Sequence, residues 1–183
     1  MGWKSGKEDK ESMNTQSKKE MKKILKEFTQ YKLRNIRIAD FGSYDVNGTY
    51  KAIVPDNWIY TGIDIVEGPN VDVVIDKSYN TYISSNTFDV VISGGTLEHC
   101  ENPFKLVEEM ARILIPGGTM IINAPQVRYE HGTRSNPKIR FKDYWRFNPE
   151  GLELLLEKAE ITVIKSYVMK RHSDSYSMIV GKK

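Results

Sequence analysis

The chain predicts an α/β fold: a doubly wound, mostly parallel sheet with helices on both faces and an antiparallel last strand. Three observations carry this. Short apolar, β-branched runs alternate with stretches of helical periodicity, the pattern of parallel strands joined by crossovers. The first run, Ile38-Ala39-Asp40-Phe41, ends in a glycine turn, Gly42-Ser43-Tyr44-Asp45-Val46-Asn47-Gly48. The next, Tyr60-Thr61-Gly62-Ile63-Asp64-Ile65, ends in a carboxylate about 20 residues on, the spacing of a nucleoside-binding strand pair.

The elements follow in order. Residues 1–13 read as a disordered tail, and 14–183 as one domain. Asn14 or Thr15 is placed to cap a helix running to Lys32, with Met21, Ile24, Leu25, Phe28 and Tyr31 on one face at helical spacing. That face is expected to pack on the sheet edge or to lid a cofactor. The core spans 36–181, and its first strand is 36–41. A short helix is expected at 48–54 and a strand at 59–65. Glu67-Gly68-Pro69-Asn70 is a turn before a third strand at 71–75, so the second crossover is only a loop. The fourth strand is 88–93. Pro103 suits the first turn of a helix running to 115. Pro116-Gly117-Gly118 reads as a stop and turn before a fifth strand at 119–123. Residues 124–148 show little periodicity and many aromatic and charged side chains; a stretch this long without regular structure is usually functional. A helix at 149–159 and strands at 161–169 and 175–181, as a hairpin, complete the chain. His172 falls at the hairpin turn.

Composition narrows the classes. At 183 residues, with 39% hydrophobic and 28% charged side chains, the chain is long enough to bury a real core as one domain. No apolar run approaches the ~18 residues of a membrane span, and the start reads as no secretory signal. The single cysteine, Cys100, has no intramolecular disulfide partner, so a cytoplasmic, reducing location is the expectation. The net charge of +3 is uneven: residues 1–32 hold nine Lys against five Asp or Glu, which leaves the rest slightly acidic. Such an arm reads as a solvated tail or, alternatively, as a contact for nucleic acid. Three His and one Cys show no metal-ligand spacing.

The first two strands indicate the ligand. A glycine turn lets a ligand approach the backbone, and a strand-end carboxylate suits two ribose hydroxyls. Asp64 is therefore the candidate ribose ligand, with Ile65 placed to pack on an adenine face. A pyrophosphate would be crowded by Tyr44 and repelled by Asp45. An acidic loop, Asp40 and Asp45, suits a cationic ligand such as S-adenosylmethionine. Ser93 and Gly94 end the fourth strand and face the same crevice, where Gly94-Gly95 would let the sulfonium end pass close.

Three further blocks extend the pattern: Phe88-Asp89-Val90-Val91-Ile92-Ser93, Leu97-Glu98-His99, and Arg112-Ile113-Leu114-Ile115-Pro116-Gly117-Gly118. In this order the chain resembles the Rossmann-like, class I S-adenosylmethionine-dependent methyltransferases, small-molecule type, over residues 36–181. The glycine loop departs from the usual G-x-G core, as Gly42-Ser43-Tyr44. The resemblance implies S-adenosyl-L-methionine as cofactor. It implies that Asp40 orients the methionine amino group, that Gly42, Ser43 and Tyr44 form the cofactor loop, and that Asp76 reads the adenine amino group. It also implies that Glu98-His99 supports the pocket. The segment after the fifth strand, Asn123-Ala124-Pro125 through His131 to Asp143-Tyr144-Trp145-Arg146-Phe147, becomes the acceptor region, with His131 the first candidate base and Asp143 the second. The Trp145-Arg146-Phe147 portion reads equally as a clamp packed back on the sheet.

The expected reaction is methyl transfer to a small-molecule acceptor, at oxygen or nitrogen. Two rivals stand beside it. One is a nucleic-acid methyltransferase, disfavoured for exocyclic base amines because Ser93-Gly94-Gly95-Thr96 replaces the Asn/Asp-Pro-Pro-aromatic block. The other is a non-catalytic cofactor- or partner-binding protein of the same fold. The sequence does not give the oligomeric state.

Overall fold

The structure is a computed structural model that describes residues 13–45, 48–130, 141–171 and 174–183. A seven-stranded sheet has the order β3-β2-β1-β4-β5-β7-β6. Its strands are β1 (Arg37–Phe41), β2 (Ile59–Asp64), β3 (Val73–Val74), β4 (Phe88–Gly94), β5 (Leu114–Val127), β6 (Thr162–Arg171) and β7 (Asp174–Lys182). β1 to β5 pair in parallel. β7 runs antiparallel to both β5 and β6, so the antiparallel last strand sits between two neighbours and not at an edge.

Both faces are covered. On one, α2 (Pro103–Ile113) and α3 (Pro149–Lys158) bury Leu106, Val107, Met110, Leu152, Leu155 and Leu156 against Ala39, Phe41, Val91, Met120, Ile122 and Ile179. On the other, α1 (Met13–Phe28) packs Met21, Ile24 and Leu25 on Ile38, Val90, Ile92, Ile121, Met178 and Val180. Each of those three α1 side chains is fully buried, which stabilises by about 1.5–3 kcal/mol relative to exposure. The helix therefore lies across the sheet face, not along its edge. It ends at Phe28, four residues short of the expected Lys32, where apolar spacing gives way to Thr29-Gln30 and a turn. Its lysines Lys19, Lys22, Lys23 and Lys26 remain exposed.

The helix boundaries have local causes. Asn102 accepts a hydrogen bond from the Lys105 amide at 3.2 Å ahead of Pro103, and Asn148 does the same for the Gly151 amide at 2.9 Å ahead of Pro149. These satisfy amide donors that have no partner within the helix. The C-terminal end of α2 is closed by Lys183, whose Nζ donates to the carbonyls of Ala111 (2.8 Å) and Leu114 (2.7 Å).

Three expectations are corrected. The stretch 48–54 is a single 3-10 turn, Tyr50–Ile53, capped by Thr49. The third strand is two residues, Val73–Val74, not 71–75. The strand expected at 119–123 runs from Leu114 to Val127. Pro116-Gly117-Gly118 is a bulge within it, since Phe88 pairs with Leu114 and Val90 next with Thr119. Gly117 takes φ +77° there, which favours glycine. The connections from β2 to β3 and from β3 to β4 contain no helix. His172 lies outside the described residues.

Candidate functional site

From β1 the chain builds outward to β2 and β3 on one side, then returns to add β4 and β5 on the other. The order therefore reverses between β1 and β4, and in such sheets the ligand crevice lies beyond the carboxyl ends of the strands at that reversal. Gly42-Ser43-Tyr44, Asp64, Ser93-Gly94 and Asn123 all lie at those ends.

The glycine loop is shaped by close contacts. Gly42 has φ +81°, and a methyl group there would lie 1.9 Å from Thr96 Oγ1. Thr96 in turn donates to the Phe41 carbonyl at 3.1 Å. Gly62 on β2 is equally crowded, with the Asn70 carbonyl and Ser43 Oγ against it, while the Tyr44 ring rests on Gly68. Asp64 joins the two strand ends: its carboxylate accepts from the Tyr44 amide and from the Val66 amide, each at 3.1 Å. Burial raises the Asp64 carboxyl above the usual range, against the pull of these amides.

Asp40 is 2% exposed. It accepts from the Tyr60 hydroxyl at 2.7 Å. Desolvation pushes its pKa up to about 7, and the nearby Asp64 adds to the shift while the Tyr60 bond opposes it. Glu98, 1% exposed, adds a third buried acid, with Oε1 3.9 Å from His99 Nε2. Among the described residues neither Asp40 nor Asp64 forms an ion pair. Buried carboxylates without a cation are costly.

Three buried polar atoms around the same strand ends have no hydrogen-bond partner among the described residues: Ser43 Oγ, Ser93 Oγ and Asn123 Nδ2. They come from the loop after β1, from β4 and from β5 in turn. Orphaned polar groups inside proteins are rare, and three at one crevice mark a place for a polar ligand.

Other expected residues sit as follows. Ile65 is exposed and follows Asp64 directly, open to a planar ring. Asp76 is also exposed; it accepts from the Ser78 amide at 2.7 Å, and Ser78 holds its carboxyl below the usual range. His131 lies outside the described residues. Asp143 is engaged by Arg146, whose Nη2 donates to Oδ2 at 2.7 Å and whose Nη1 bonds Oδ1. Arg146 also donates to the carbonyls of Arg128 (3.1 Å) and Tyr129 (3.0 Å). The pair thus straps the chain after β5 to the segment before α3. Alongside, the Tyr144 amide donates to the Glu98 carbonyl at 2.7 Å, the Trp145 indole to the Cys100 carbonyl at 2.8 Å, and the Phe147 amide to the Pro125 carbonyl at 2.9 Å. The contacts of Trp145, Arg146 and Phe147 are those of a clamp packed back on the sheet. His99 Nδ1 lies 2.7 Å from the Lys142 carbonyl, part of the same seam.

Sequence reasoning missed Thr96, Tyr50 and Ser17. Thr96 follows Gly94-Gly95 directly, and its role as the wall behind Gly42 has a weak signal in that glycine pair. Tyr50 lies over Gly94 with its hydroxyl 2.5 Å from Ser17 Oγ, a pair 33 residues apart that nothing local joins.

Residues 54–122 match the family model described as a methyltransferase domain, which takes in β2 through most of β5. Over those residues the chain is similar to methyltransferase domains. No curated protein matches it in sequence. Solved structures share the fold. A 1,6-didemethyltoxoflavin-N1-methyltransferase of Burkholderia thailandensis is 20% identical, with 82% of this chain and 72% of that one covered at TM-score 0.64. An S-adenosylmethionine-dependent methyltransferase of Aquifex aeolicus is 19% identical, with 91% and 96% covered at TM-score 0.61. The [4+2]-cyclase SpnF is 15% identical, with 90% and 80% covered at TM-score 0.67. The chain thus has the Rossmann-like α/β architecture of these proteins. The family match begins after the glycine loop, so the departure at Gly42-Ser43-Tyr44 lies outside it.

Proposed function

We propose that this protein is a class I S-adenosylmethionine-dependent methyltransferase that moves the methyl group of its cofactor to oxygen or nitrogen of a small-molecule acceptor. The observation that carries the reading is the acidic crevice at the strand reversal, where Asp40 and Asp64 are buried with no ion-pair partner among the described residues. A cofactor with an ammonium and a sulfonium supplies the missing positive charge, whereas a pyrophosphate would add to the repulsion. The orphaned Ser43, Ser93 and Asn123 atoms fit a ligand rich in donors and acceptors.

In this reading Asp64 takes the two ribose hydroxyls, using the lone pairs left free by its two amide bonds. Ile65 packs on the adenine and Asp76 meets its amino group. Asp40 receives the methionine ammonium, with the Gly42-Ser43-Tyr44 loop and Ser93-Gly94 as the floor. Bound there, S-adenosylmethionine supplies a methyl group already activated on a sulfonium. The protein's part is alignment and exclusion of water. His131 is the proposed base for a hydroxyl acceptor. Asp143, strapped to Arg146, serves by holding the acceptor loop in place. The toxoflavin-precursor methyltransferase, crystallised with its small-molecule acceptor and S-adenosylhomocysteine, supports an acceptor of that size.

Calorimetric titration of S-adenosylmethionine and S-adenosylhomocysteine into the protein tests the reading. Binding that Asp64→Ala abolishes is expected, and screening of acceptors by methyl incorporation follows. No binding to the wild type would sink the proposal and favour a different use of the same fold, of which the [4+2]-cyclase is a reminder.

A further inference from the structure

Positive charge is concentrated in one stretch of this chain. Residues 13–37, which form α1 and the turn into β1, hold eight Lys or Arg against two Glu, a net charge of +6. The whole chain carries +3, so all the other residues together are net −3. Within the stretch, Lys19, Lys22, Lys23 and Lys26 recur at three- and four-residue steps and are all exposed, which makes them one ridge along α1, about 10 Å long. Lys32, Arg34 and Arg37 follow in the turn and at the start of β1, also exposed.

The acids of the helix leave this ridge largely uncompensated. Glu20 accepts from the Tyr167 hydroxyl at 2.5 Å and from Lys23 at 3.2 Å. Glu27 is bonded by Lys165 of β6 at 3.0 Å. Lys19, Lys22 and Lys26 have no carboxylate partner among the described residues. Like charges four residues apart, as Lys19 with Lys23 and Lys22 with Lys26, oppose helix formation. Folding alone therefore gives the row no rationale, and an anionic partner does.

The surface selects among anionic partners. Met21, Ile24 and Leu25 are fully buried against the sheet, so α1 has no apolar face to insert into a bilayer. Protein interfaces are anchored by aromatic and arginine side chains and are poor in lysine, whereas the ridge is lysine alone. A phosphate backbone asks only for a row of point charges. We propose that the outer face of α1 is a docking surface for the phosphate backbone of nucleic acid, held without reading its bases, since the ridge has no aromatic ring on which a base could stack. The site is separate from the crevice, whose buried acids Asp40, Asp64 and Glu98 would repel a polyanion. It goes beyond the small-molecule reaction proposed above.

The test is fluorescence anisotropy of the full chain with a labelled, mixed-sequence DNA duplex and with a single-stranded RNA, from about 50 to about 200 mM salt. Both probes are expected to bind, with affinity falling steeply as salt rises. Replacing Lys19, Lys22, Lys23 and Lys26 together by Gln should weaken binding at least about tenfold at the lowest salt and flatten the log–log slope by about 3. Glu27→Gln should tighten binding about two- to fivefold, and it carries the test if the fourfold variant does not fold. Asp64→Ala should bind both probes as wild type does. No binding at the lowest salt, a fourfold variant with unchanged affinity and slope, or retention by phosphatidylserine vesicles but by neither nucleic acid would overturn the docking surface and leave the methyltransferase reading intact.

Discussion

Asp40 holds the sharpest chemical tension in the molecule. Its folded pKa of about 7 is above the ~3.9 of an unfolded aspartate, so its contribution to stability is fully present below about pH 4 and is lost as pH rises toward 7. Asp40→Asn removes the titration while keeping an acceptor for Tyr60. The variant should gain stability relative to wild type by about 2 kcal/mol more at pH ~8.5 than at pH ~5.5, read from urea melts at the two values. An equal offset at both would show that Asp40 is ionised throughout. Binding has the opposite dependence: a ligand ammonium favours the carboxylate, so S-adenosylmethionine should bind more weakly as pH falls below about 7, and Asp40→Asn should flatten that profile. Cys100 gives a simpler case. Burial, with Glu98 and Asp64 nearby, pushes its thiol up to about 12. A thiol reagent at pH ~8 should therefore label native protein slowly and unfolded protein fast; rapid native labelling would contradict this environment. Asp64 was legible in the sequence because its role follows from a fixed spacing after a glycine turn. Tyr50 was not, because its place is set by packing under a helix far upstream.

Among the elements, the most local features carry the most testable energy. Lys183 closes α2 by donating to carbonyls that have no partner within the helix. Lys183→Ala should cost about 1–2 kcal/mol, seen as a lower urea midpoint with an unchanged slope. The Asp143–Arg146 strap predicts a different outcome. Arg146→Ala frees the carbonyls of Arg128 and Tyr129, so amide exchange should quicken in 141–147 with little change in the central strands. Uniform exchange would mean the strap is not what holds that segment. Strands β1, β2 and β4 were legible to within a residue or two, since each is a short apolar run bounded by turn residues. β5 was not. Pro116-Gly117-Gly118 has the chemistry of a stop, and only pairing with Phe88 on β4 keeps the backbone extended on both sides of the bulge. The end of α1 was overread because Tyr31, although in phase with the apolar face, packs against Trp58 from a turn.

For the whole molecule, the prediction is one of linkage. A ligand that binds only the folded state stabilises it by about 2.7 kcal/mol at a hundredfold excess over its dissociation constant. S-adenosylmethionine at that level should raise the melting temperature by several degrees in wild type and leave Asp64→Ala unmoved. The fold class itself was legible, because alternating strands and helices leave few arrangements for a sheet of this length. The position of the last strand was less so: an antiparallel hairpin was evident, but which of its strands touches β5 depends on pairing between distant segments. That arrangement bears on how the chain is made. The strand that fills the gap between β5 and β6 is the last of the seven to leave the ribosome. Until it emerges, the growing polypeptide presents bare backbone along β5 and has no place to lodge β6, and unpaired edges of that kind recruit other chains. Translation that stalls before residue 174 should thus release a fragment prone to clump, whereas the residues of β7 give both β5 and β6 their partner.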